Sequence, residues 1–263
     1  MKVRIISAII ALAIIIPFIY LGGIPFAALM GIFAILAFKE VLNLKKSHGK
    51  IPKIASLLSL VALLYLILGD YGMNSLYMSI NNRRLILPLF LIILPTVFYR
   101  KDHYNTKDAF FLTGIVYLLG LLFNSFIVIR NVSLYIFIYL ICITILTDTF
   151  AYAIGCLIGR NKMCPNISPN KSWEGAIAGF VGGVSISLIV YANLVGSIDY
   201  KVIIMTILLS IIGQVGDLVF SKMKRDNNIK DFSNIMPGHG GILDRLDSLT
   251  FVILGYILIR IIL

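Results

Sequence analysis

Apolar runs recur almost from end to end of the chain, near 5–21, 24–42, 54–69, 85–99, 109–129, 133–158, 175–196, 201–220 and 242–262, divided by short stretches of Pro, Gly, Asn or charge. None shows the strict alternation that a β-barrel strand requires, and most are close to the ~20 residues that cross a hydrocarbon core as helix. Hydrocarbon leaves unpaired backbone unsatisfied, so the pattern predicts an all-α polytopic integral membrane helix bundle of about nine transmembrane helices. The weakest division is the first, where Gly22-Gly23-Ile24-Pro25 interrupts one continuous run; a tight hairpin or a kink would fit equally, and the count could be eight or ten.

Composition agrees with the pattern. At 59% hydrophobic and 13% charged over 263 residues, the chain has too few polar side chains to cover a soluble core. The formal net charge of +11 is scattered over short loops rather than gathered on one soluble face, which argues against nucleic acid and for membrane orientation. With the N-terminus placed in the cytoplasm, 18 of the 23 Lys and Arg fall on the cytoplasmic side: two at the N-terminus, five at 39–53, three at 100–107, three at 160–171 and five at 222–245. Arg83, Arg84, Arg130, Lys201 and Arg260 fall outside. The expected topology is therefore N-terminus cytoplasmic and C-terminus external. Cys142, Cys156 and Cys164 have no metal-type spacing and are assigned no role.

One membrane domain, 1–263, is the simplest organisation, with no internal repeat. Residues 1–132 read as scaffold, and His48 and His103 there as solvated loop residues. From Asp148 onward polar residues enter the apolar runs themselves, where they are costly enough to suggest function, so 133–263 is expected to be the catalytic half. The spacings Gly155–Gly159, Gly175–Gly179 and Gly179–Gly183 suit close helix packing in lipid.

Four constellations carry candidate chemistry. Asp148 lies inside an apolar run with Thr144 and Tyr152 four residues to either side on the same helix face. Ser168 and Lys171 precede the run at 175–196, where a helix N-terminus and a lysine would together attract phosphate; Trp173 reads as an interfacial anchor. Asp217, Ser221 and Lys224 follow at i, i+4 and i+7, one stripe on a helix. The fourth is SKMKRDNNIKDFSNIMPGHGGILDRLDS, 221–248, with nine charged residues. Its Lys222, Lys224, Arg225 and Lys230 suit a polyphosphate, and Asp244 and Asp247, three apart on one helix face, suit a divalent metal. Gly240 and Gly241 let backbone N–H groups approach a ligand beside His239. Asp217 with Asp244 is the strongest metal pair, and Asp247 completes the shell or binds nucleotide. Arg245 faces two roles, neutralising a carboxylate or contacting phosphate. No GxxxxGK[ST] loop is present, which disfavours an ordinary P-loop.

The fourth segment resembles the signature of the phosphatidate cytidylyltransferases, or CDP-diacylglycerol synthases. The resemblance rests on Ser221, Met223, Lys224-Arg225, Lys230-Asp231, Pro237 to Gly241, Asp244-Arg245 and Asp247, and extends to Asp148, Thr149, Ala151, Tyr152 and Gly155 and to Ser168, Pro169, Lys171, Ser172, Glu174 and Gly175. Met236 and Ser233 depart mildly, standing where the family mostly has another apolar residue and Gly. The resemblance implies CTP and phosphatidic acid as substrates, Mg2+ as cofactor with a two-metal centre conceivable, membrane lipid as surroundings and no nucleic acid, with a homodimer left open. It implies a bacterial cytoplasmic membrane enzyme whose site faces the cytoplasm. In that setting Lys171, Lys222, Lys224 and Arg225 would neutralise the triphosphate, His239 would donate to phosphate or shape the turn, and Asp148, Tyr152, Ser168, Ser221, Lys230, Gly240 and Gly241 would line the substrates. Two other classes remain: another CTP-dependent lipid enzyme, such as an isoprenoid-lipid kinase or archaeal-type cytidylyltransferase, and an ion transporter. A carrier should show repeated halves and midplane carboxylates.

Overall fold

The computed structural model describes residues 2–45, 51–69, 82–100, 103–235 and 240–262. Its elements run α1 (Lys2–Leu21), α2 (Gly23–Lys45), α3 (Lys53–Leu68), α4 (Asn82–Ile93), α5 (Pro95–Phe98), α6 (Thr106–Val132), α7 (Leu134–Ile158), β1 (Lys162–Cys164), β2 (Ser168–Ser172), α8 (Trp173–Leu194), α9 (Tyr200–Asp226) and α10 (Leu243–Ile262). Among the described residues, five helical stretches are long and apolar enough to cross a membrane: Gly23–Leu44, Thr106–Val132, Leu134–Ile158, Trp173–Leu194 and Tyr200–Asp226. Ile9–Leu21, Lys53–Leu68 and Leu85–Phe98 are shorter apolar helices. Large hydrophobic side chains such as Ile14, Leu57, Phe90, Leu157, Val181 and Leu258 stand exposed along them, as a lipid-facing surface requires. The protein is an all-α membrane bundle to which one short hairpin is added.

The chain forms two compact units, Met1–Val132 with Phe232–Leu243, and Ser133–Asp231 with Asp244–Leu263. In the first, α6 packs against α2, α3 and α4, burying Phe26, Phe38, Leu63, Ile67, Leu112 and Phe123. Buried Asn124 donates its amide to the Ile67 carbonyl at 3.0 Å, so its polar group is not left unpaired. The doubtful division at 22–25 is a true break. Gly22 and Gly23 take φ of 62° and 54°, and Arg130 caps the end of α1 by donating to the carbonyls of Ile19 at 2.7 Å and Tyr20 at 2.6 Å. The run at 85–99 is broken into α4 and α5, with Pro95 opening the second.

In the second unit α7 and α8 pack along a glycine seam. A Cβ on Gly179 would stand 2.6 Å from the Thr147 carbonyl oxygen, and one on Gly175 would stand 2.6 Å from that of Ala151. Backbones this close explain the small-residue spacings. Polar pairs join α7 to α9: Tyr139 and Thr206 hydroxyls at 2.6 Å, Thr147 and Ser210 hydroxyls at 3.0 Å, all buried. Further along α9, Gly213 and Gly216 admit Val252 and Phe251 of α10.

Candidate active site

The segment between α7 and α8 is an antiparallel hairpin, with Lys162 opposite Ser172 and Cys164 opposite Ser168 and an irregularity between. Its base is fastened to the helix that follows. Asn161 donates its backbone N–H to the Glu174 carboxylate at 3.1 Å and its side-chain amide at 2.7 Å, while its carbonyl accepts from the Trp173 N–H at 3.0 Å. Ser172 caps α8 by accepting from the Gly175 N–H at 3.2 Å, and its side chain lies where a Cβ on Gly159 would be. These contacts fix the last residues of β2. Lys171 thereby reaches α9, its Nζ 2.5 Å from Asp217 Oδ2, with both side chains about a quarter exposed (29% and 24%).

Along α9 the i, i+4, i+7 stripe is a physical row. The Ser221 hydroxyl donates to Asp217 Oδ1 at 3.3 Å, and Lys224 Nζ pairs with Asp244 Oδ1 of α10 at 2.8 Å. This second pair is the deeper one, with side-chain exposures of 11% and 3%. Asp148 of α7 hydrogen-bonds the Ser248 hydroxyl and lies within electrostatic reach of Asp217 and Lys171. Asp247 feels Asp217, Lys224 and Asp148. Four carboxylates, two lysines and two hydroxyls from α7, the hairpin, α9 and α10 thus form one charged cluster among apolar helices.

The remaining candidates are placed as follows. Lys222 is exposed and pairs with Asp226 one turn on. Arg225 is exposed and donates to the carbonyls of Ile167 at 3.2 Å and Ile229 at 3.0 Å, which ties the end of α9 to the hairpin turn. Lys230 and Arg245 are exposed, as is Tyr152, at 76%. Ser168 is half-buried in β2. Gly240, with φ of 83°, and Gly241 are buried in the first unit, where Gly241 lies against Glu40 and Ser233. His239 lies outside the described residues. Sequence reasoning missed Ser248, although it follows Asp244 by one helical turn, and gave no weight to Glu40, a lone acid inside an apolar run.

The donor set is oxygen only, the type that hard cations take. Among the described residues, no three acidic, His or Cys side chains gather closely enough to hold an ion by themselves. Mg2+ characteristically uses one or two carboxylates and completes its shell with water and substrate phosphate. Asp217 and Asp244, paired here with Lys171 and Lys224, each offer a carboxylate of that kind.

The whole-chain comparison decides the family. A model of the cytidylyltransferase family matches residues 2–262. The chain belongs to the cytidylyltransferase family. Among the relatives of this cytidylyltransferase, a phosphatidate cytidylyltransferase of Staphylococcus haemolyticus is 38% identical over 262 residues, covering 96% of each chain. That of Staphylococcus saprophyticus is 38% identical over 269 residues, covering 99% of this chain and 100% of the relative. That of Staphylococcus aureus is 36% identical over 258 residues, covering 96% of each. The cytidylyltransferase family thus embraces both compact units.

Proposed function

We propose that the protein joins CTP to phosphatidic acid, giving CDP-diacylglycerol and pyrophosphate, a step of phospholipid synthesis. The observation that carries the reading is the double pairing of Lys171 with Asp217 and Lys224 with Asp244 inside an apolar bundle. A phosphate oxygen of phosphatidic acid forms a bond to the α-phosphorus of CTP, and the bond to the β-phosphate oxygen breaks. At neutral pH the attacking phosphate is already anionic, so the protein needs charge neutralisation and in-line positioning rather than a strong base. Lys171 and Lys224 would neutralise charge on the triphosphate, and Arg225, held over the hairpin, would add positive charge at its rim. A bound Mg2+ would supply Lewis-acid neutralisation of the phosphate oxygens, held by Asp217 and Asp244 with Asp148 and Asp247 beside them. Nine spans, a cytoplasmic N-terminus and a site on the cytoplasmic side of the bacterial cytoplasmic membrane complete the reading, which the Lys and Arg distribution supports.

The test is turnover by the purified protein supplied with CTP, phosphatidic acid and Mg2+. CDP-diacylglycerol and pyrophosphate should form in equal amounts, and Asp217→Asn and Asp244→Asn should abolish both while the protein stays folded in detergent. Release of CDP with a phosphorylated lipid would instead mark a lipid kinase. Near-wild-type activity in either variant would remove that residue from the metal assignment.

A further inference from the structure

Glu40 is 1% exposed in the middle of the unit assigned to scaffold, on α2. A buried carboxylate is costly unless its oxygens are satisfied, and among the described residues its hydrogen-bond partners come from the far end of the chain. Oε1 accepts from the Ser233 hydroxyl at 2.7 Å and the Ile242 N–H at 2.8 Å, and Oε2 accepts from the Leu243 N–H at 3.0 Å. Gly241 lies so close that a Cβ there would overlap the carboxylate and the Ser233 hydroxyl. One side chain therefore holds both flanks of the 233–243 segment. Its acceptors meet orphan donors at the start of α10, where a negative charge is also favoured by the helix dipole.

Leu243 is the first residue of α10, and Asp244 and Asp247 follow in its first two turns. A residue 202 to 203 positions away in sequence thus caps the helix that carries two of the four clustered carboxylates. We propose that Glu40 is a positioning residue for the cytidylyl transfer: by capping α10 through Ile242 and Leu243 it sets the point at which the helix starts, and with it the placement of Asp244. The inference rests on the reading above, and Ser233, a departure from the resembled signature, supplies the third hydrogen bond.

Glu40→Gln keeps the side-chain shape but turns an N–H donor toward a backbone donor. Roughly 10²-fold loss follows when reacting groups are misplaced by about an ångström, so kcat should fall by that order, with KM for CTP within a few-fold of wild type. Hydrogen exchange read by mass spectrometry should speed up in the peptide covering 240–246 and stay unchanged in α6, α7 and α8. Glu40→Asp, which retains both carboxylate oxygens, should recover part of kcat. An inactive wild type would defeat the proposed reaction itself and leave the exchange result to judge the cap. Wild-type kcat and unchanged 240–246 exchange in Glu40→Gln would overturn the positioning role. Loss of protection across every helix would also overturn it, by making Glu40 a determinant of the fold.

Discussion

Lys171 and Lys224 make similar ion pairs in different surroundings, and the difference separates chemistry from stability. Lys171 and Asp217 keep about a quarter of their side chains accessible, so the pair contributes only about 0.2–1 kcal/mol. Lys171→Met should therefore leave thermal unfolding in detergent nearly unchanged while kcat/KM for CTP falls steeply. Wild-type kcat/KM in that variant would demote Lys171 to an orienting loop charge. Lys224 and Asp244 are nearly sealed, and breaking such a pair by removing one member costs about 3–5 kcal/mol. Lys224→Met should lower the unfolding temperature clearly, and adding Asp244→Asn should restore much of it without restoring turnover. Equal stability of the two single Lys variants would contradict this asymmetry. Candidate residue types were legible because polar groups in an apolar run are conspicuous. Their pairings were not, since Lys171 meets Asp217 and Lys224 meets Asp244 only through tertiary contact. Glu40 was conspicuous by the same criterion, but it sits far from any motif and its partners are two backbone N–H groups and a serine.

At the scale of elements, the helices followed directly from run length and from the breaks at Gly, Pro and charge. The hairpin did not. Its strands are three and five residues long with Pro169 in the second, too short for period-2 alternation to register. What holds it is local and polar, namely Asn161 against Glu174 and Ser172 against Gly175. The glycine spacings, by contrast, gave a correct reading of helix packing, because only a missing side chain permits backbones so near. Gly179→Ala would place a methyl group 2.6 Å from the Thr147 carbonyl oxygen and 2.7 Å from Ala151 Cβ. Neither neighbour can turn away as a flexible side chain would, so α7 and α8 must separate, at about 1–3 kcal/mol for overpacking of this kind. Thermal unfolding in detergent should register that loss. An unchanged unfolding temperature would mean that the seam relaxes freely. Gly114, with nothing near its Cβ position, provides the control: Gly114→Ala should be neutral or slightly stabilising.

For the whole molecule, sidedness follows from arithmetic that no single helix contains. An odd number of spans puts the two termini on opposite faces, and an even number puts them together; the break at Gly22 is where that parity is decided. α1 and α2 lie on either side of a left-handed Gly-Gly junction capped by Arg130, and the proposed count of nine takes them as two crossings and α4 with α5 as one. On the proposed topology, the excess of Lys and Arg would put the N-terminus and the 222–245 segment in the cytoplasm and the C-terminus outside. Single cysteines test this in a background with Cys142, Cys156 and Cys164 changed to Ser and turnover retained. Asn234, exposed in the signature segment, is a suitable reporter. In sealed right-side-out vesicles an impermeant thiol reagent should miss Asn234→Cys and a cysteine placed before Lys2, yet label one appended after Leu263. Labelling of Asn234→Cys from outside would separate the site from its nucleotide and reverse the topology. Labelling of neither terminus would leave the signature segment cytoplasmic but make the span count even, which would require α1 and α2 to cross as one interrupted helix.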